Sequence, residues 1–204
     1  MAQYDEVISA LPYFGNIEFY SHLVQNDLLV DIHENYVKQS LRNRCELTGS
    51  QGRFNLTVPV HRPSGIKTPF ESIIISYTED WQHQHLHALR SNYGSSPFFI
   101  HYWEEISSIW SMKPDRLVDL NDRAHRVIAE ILDINKSLSY SESYVSSTPG
   151  IDLRPRCKYS DWQNEEYIQV FSDRTEFIYN LSILDAIFCL GPEVPDYLRR
   201  QVLV

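Results

Sequence analysis

At 204 residues, with 43% hydrophobic and 22% charged side chains, the chain has the make-up of a single globular domain spanning 1–204, and long disordered stretches are excluded. Its net charge of −9 argues against a nucleic-acid partner, because phosphate backbones are held by basic surfaces. No window approaches the roughly 20 apolar residues of a membrane span. The N-terminal MAQYDEVISALPYF lacks the basic and apolar regions of a signal peptide, and three widely spaced cysteines fit reduced thiols, so a cytoplasmic location is expected.

In chain order, Glu6 to Leu11 reads as a strand, broken by Pro12-Tyr13-Phe14-Gly15. Asn16 suits the N-cap of a helix reaching about Asn26, with Ile17, Tyr20, Leu23 and Val24 on its apolar face. Leu28 to Ile32 has strand length, so the chain opens with a βαβ unit. Arg44 to Thr48 and Phe54 to Val60 flank a Gly-Ser-Gln-Gly turn and predict a β-hairpin. His61 to Gly65 breaks the pattern, and Ile73-Ile74-Ile75 offers one more strand. Helices follow from Thr78 or Asp80 to Tyr93, over Phe98 to Trp110, and over Leu117 to Leu132. Leu138 to Val145 reads as an edge strand, and Ser146 to Trp162 as an irregular, mobile loop. Leu181 to Leu190 and a segment from Pro195 close the chain as helices. The fold class is α+β: the βαβ unit and hairpin in a mixed sheet, then a mostly helical C-terminal half.

The charge is unevenly spread. Between Asn35 and Phe70 lie six cations, Lys38, Arg42, Arg44, Arg53, Arg62 and Lys67, against the single acid Glu46. Such an island is either a solvated hairpin surface or a seat for a small anion. Within it, Lys38, Arg42 and Arg44 can clamp the anion, while Gln39 and Asn43 can orient polar groups. Trp81, His85, Leu89 and Tyr93 recur every four residues, so they form one helix stripe. His85 is then either a satisfied structural group or a general acid–base beside a pocket, with Tyr93 near it. Trp81 and Tyr13 are candidate substrate contacts. His83 and His87 share the other face, an HxxxH pair that would serve a metal-dependent hydrolase only with a third ligand. There is no GxSxG elbow, GxGxxG turn or P-loop, so no cofactor is assigned.

Several stretches in order resemble the WbqC-like protein family. They are Leu11-Pro12-Tyr13-Phe14, Asp31 through Tyr36-Val37-Lys38-Gln39 to Arg42-Asn43-Arg44, Leu56 to Val60, Trp81…His85…Tyr93, Ser96 to Phe99, and Asn180 to Asp185 with Phe188 and Gly191-Pro192-Glu193. Where many members carry a Gln-Pro-x-Tyr style motif, the equivalent place here reads Ser9-Ala10-Leu11-Pro12-Tyr13. The resemblance implies work in bacterial O-antigen and related surface-polysaccharide pathways. It points to a transferase acting on a small anionic substrate, a nucleotide-linked or lipid-linked amino sugar. A non-catalytic binding or scaffold protein of the same assembly pathway is the alternative.

Overall fold

The computed structural model describes residues 7–61, 67–136 and 138–203. Strand β1 (Val7–Ser9) is buried throughout and pairs in parallel with β2 (Leu28–Val30), with helix α1 (Ile17–Gln25) as the crossover. The Asn16 side chain accepts from the Phe19 amide and starts α1 where a β-region residue with a short acceptor belongs. Gly15 precedes it because a Cβ there would lie 2.7 Å from the Phe19 ring and 2.9 Å from Pro12. The chain can therefore turn tightly from strand to helix.

Two further strands complete the sheet, β7 (Ser139–Tyr140) beside β2 and β8 (Ile151–Asp152) beside β1. The order is β7-β2-β1-β8, and every pairing is parallel. The hairpin, β3 (Arg44–Gly49) with β4 (Gly52–Thr57), forms its own antiparallel sheet rather than joining this one. Strands β5 (Val60–His61) and β6 (Ile74–Ile75) make a second short pair. The break expected at His61 to Gly65, with Arg62, lies mostly outside the described residues.

Helices α2 (Trp81–Tyr93), α3 (Phe99–Ser108), α4 (Leu117–Ile131), α5 (Ile183–Leu190) and α6 (Val194–Arg199) occupy the predicted stretches. The stripe on α4 buries Leu117, Leu120, Ala124, Val127 and Ile128, and the hydrophobic core joins it to β1, the hairpin and α5. The segment 146–162 is not the loose loop its Ser- and Pro-rich composition suggests. It supplies β8, the Leu153 amide bonds to the Ile8 carbonyl at 2.7 Å, and the Arg154 guanidinium donates to fully buried Asp31 at 2.8 Å. Among the described residues no helix is long and apolar enough to cross a membrane.

Candidate functional site

From β1 the sheet grows through β2 to β7, then the chain returns to the other side of β1 as β8. Where strand order reverses in a parallel sheet, the loops leaving the carboxyl ends diverge and open a crevice. Here the diverging segments follow Ser9 and Asp152. Between them lies a void of about 10 Å³ bounded by Ser9, Asn16, Glu18, Leu153, Arg156 and Cys157. It shares Asn16, Leu41 and Arg156 with a cavity of about 250 Å³, whose remaining wall includes Glu46, Arg53, Lys158, Ser160, Asp161 and Asn180.

Glu18 forms the floor. It is 2% exposed and sits in the first turn of α1, where the helix dipole favours an anion. Its carboxylate accepts from Arg156 Nη1 at 2.8 Å, Ser160 Oγ at 2.7 Å and Asn180 Nδ2 at 3.0 Å. Its own amide donates to Asn180 Oδ1 at 3.1 Å. Asn180 adopts a left-handed φ of 56°, which asparagine tolerates better than most residues. Glu18 thus holds Arg156, Ser160 and Asn180 in place on the wall. The neighbouring α1 amides are also engaged, Ile17 with the Leu181 carbonyl and Phe19 with Asn16. An incoming anion would therefore meet side chains rather than the helix end. Three cations line the cavity: Arg53, which pairs with Glu46 and donates to the Tyr179 carbonyl at 3.0 Å, Arg156, and exposed Lys158.

A larger cavity, of about 700 Å³, runs along α4 to β7. Its cations Arg126 and Lys136 face Asp122, Glu130 and Asp133, so its lining carries no positive excess. It is a poor seat for an anion. The switch-point crevice is the better candidate.

The residues singled out in the sequence do not share one opening. His85 is 4% exposed, with Nε2 at 3.2 Å from the Thr57 carbonyl and Nδ1 at 3.1 Å from the Tyr13 hydroxyl. The Thr57 carbonyl can only accept, so Nε2 carries the proton and Nδ1 accepts from Tyr13. Trp110 Nε1 in turn donates to the Tyr13 oxygen at 3.0 Å. Burial lowers the His85 pKa to about 4, so this chain of bonds holds a neutral imidazole in the core. Trp81 packs edge-on to His85, at 5.1 Å between ring centroids. Tyr93 is fully buried under α5, and its hydroxyl accepts from the Thr48 amide at 3.0 Å.

Arg42 is also turned inward, donating from Nε and Nη2 to both carboxylate oxygens of buried Glu34 at 2.7 and 2.6 Å. Asn43 donates to the Val58 carbonyl at 2.9 Å, while Lys38 and Gln39 are exposed, the latter with φ of 55°. Arg44 stands two residues before Glu46 on β3 and so shares the hairpin face whose Glu46 and Arg53 line the crevice, without lining it itself. His83 and His87 are exposed, and among the described residues no group of three His, Cys, Asp or Glu side chains is placed to hold a metal ion. Among the described members of the basic island, Arg53 is the one that lines the crevice. The partners it meets there, Arg156 and Lys158, come from the Arg154-Pro155-Arg156-Cys157-Lys158 run, three cations in an acidic half-chain that composition alone could have flagged.

No solved structure matches the chain. The chain is similar to uncharacterized protein Rv1507c of Mycobacterium tuberculosis (strain ATCC 25618 / H37Rv), 26% identical over 220 residues that cover 92% of this chain and 91% of that one. The WbqC-like family profile matches residues 10–153, from the end of β1 through β8, and so takes in Asn16, Glu18, Glu46 and Arg53 of the crevice. The chain belongs to the WbqC-like protein family.

Proposed function

We propose that the protein is a cytoplasmic enzyme of surface-polysaccharide sugar biosynthesis that binds a nucleotide-linked or lipid-linked amino sugar in the switch-point crevice and transfers a group to it. The observation that carries this reading is the set Arg53, Arg156 and Lys158 around a polar cavity at the carboxyl end of the sheet. Guanidinium and ammonium groups are the side chains that hold a diphosphate, which brings about two negative charges. Thiols at Cys45, Cys157 and Cys189 suit a reducing compartment.

A thermal-shift screen with nucleotide sugars tests it. A ligand present at about 100 times its Kd adds about 2.7 kcal/mol to stability, a shift that is easily read. Arg53→Ala and Lys158→Ala, both changes at accessible side chains, should abolish the shift without unfolding the protein. A panel that leaves the melting temperature unmoved, or a shift that both variants keep, would refute the proposal. A stable partner protein captured by these same side chains would favour the scaffold reading instead.

A further inference from the structure

We infer that the crevice selects a nucleoside diphosphate over a lipid diphosphate, stacking the base on Tyr159 while Arg53, Arg156 and Lys158 hold the diphosphate; the inference rests on the reading above. The crevice does not end at its rim. It continues into an outer cavity of about 470 Å³ that shares Arg156, Ser160, Asp161, Trp162 and Gln163 with it and adds Tyr159 and Val202. Tyr159 is 78% exposed, more than Tyr140 or Tyr144, so its ring is open to a ligand. It is also firmly mounted. The turn that carries it is bonded at Cys157 N to the Leu153 carbonyl (3.1 Å), at Lys158 N to the Pro155 carbonyl (3.0 Å), and at the Cys157 carbonyl to Leu41 N (2.6 Å). Tyr159 therefore lines the outer cavity from a turn tied to the segment that leaves β8.

The chemistry of the outer wall separates the two substrate classes. A lipid chain needs a continuous apolar track. Here Trp162 is 7% exposed, its indole nitrogen donating to the Val202 carbonyl at 3.0 Å, and the wall beside it carries Ser160, Asp161 and Gln163. A nucleoside needs a flat apolar face for its base and acceptors for its ribose hydroxyls. Tyr159 offers the face, and the exposed Asp161 carboxylate beside it offers the acceptor. Asp161 lines both cavities, whereas Arg53 and Lys158 line only the inner one, so the three cations come together there and place the diphosphate on the inner side, above the Arg156–Glu18 pair.

Isothermal titration of the full chain with the common nucleoside diphosphates, inorganic pyrophosphate and geranyl diphosphate decides the matter. At least one nucleoside diphosphate should bind more tightly than pyrophosphate. Tyr159→Ala should weaken that nucleotide about tenfold to a hundredfold, the worth of one base–aromatic stack, and leave pyrophosphate unchanged. Tyr159→Phe should retain the nucleotide. Nucleotide binding indifferent to Tyr159→Ala, or geranyl diphosphate bound in preference, overturns the inference while sparing the anion seat. If pyrophosphate and every nucleotide fail to bind, the anion seat itself falls and the stacking site with it.

Discussion

Arg42 shows how a side chain chosen by sequence for an anion can be claimed by the protein's own carboxylate. Its guanidinium is 1% exposed and bidentate on Glu34, and it also donates to the Arg154 carbonyl at 3.3 Å. Burying two charges is offset only while both are present, so losing one partner costs about 3–5 kcal/mol. Arg42→Ala is expected to fall in that range by urea denaturation, and Arg42→Met with Glu34→Leu should recover most of the loss. A single variant within 1 kcal/mol of the parent would show the pair to be dispensable. Nothing in the Asn35–Phe70 composition separates Arg42 from Arg53, because burial is decided by Glu34, Arg154 and Cys157, which reach Arg42 only through tertiary contacts. His85 was legible as part of a core-facing stripe. Its two hydrogen-bond partners, Tyr13 and Thr57, lie 72 and 28 residues away and were not.

At the level of elements, the helices and the hairpin were readable because each carries its own signal. Asn16 caps α1, Gly191 with φ of 56° closes α5, and the apolar stripe of α4 repeats over its length. Strand β8 carries none, being two residues long within a polar segment. What holds it is the Asp31–Arg154 contact. Asp31 also accepts from Ser141 Oγ at 3.2 Å and the Val145 amide at 3.2 Å, while Arg154 donates to Val145 O and to Asp152. One carboxylate thus ties the exits of β2, β7 and β8 together. Since β8 leads into Arg156 and Lys158, this tie also positions half of the crevice. Arg154→Ala should strand the buried Asp31 charge and release the segment. Hydrogen exchange is expected to accelerate at Val145 and Leu153 by more than at the α4 amides, and pyrophosphate affinity should fall in step. Uniform acceleration over the whole chain would show that the contact stabilises the fold without serving as a local tie.

On the scale of the whole molecule, buried titratable groups set how stability follows pH. Burial lowers the pKa of His22, His85 and His125 to about 4 each, and raises that of Asp185 to about 7 despite the Tyr93 and Tyr167 hydroxyls beside it. A histidine depressed in the folded state contributes stability that is complete above its unfolded pKa near 6.5 and is lost as pH falls toward 4. Asp185 works in the opposite sense. Its raised pKa stabilises the fold below the unfolded value near 4, and that contribution disappears as pH rises through 7. Three histidines act against Asp185 and against Glu34, whose pKa burial also raises, so unfolding is coupled to net uptake of about one to two protons between pH 4 and 6.5, a slope on the order of 1–3 kcal/mol per pH unit. The protein should therefore lose stability steeply on acidification through this window, well before most surface carboxylates protonate. Asp185→Asn removes one of the opposing groups. It should raise the melting temperature at pH 8, where the parent must ionise a buried carboxyl, and leave it nearly unchanged at pH 4. An equal gap at both pH values would mean that Asp185 is not held above the usual carboxylate range by its burial on the inner face of α5.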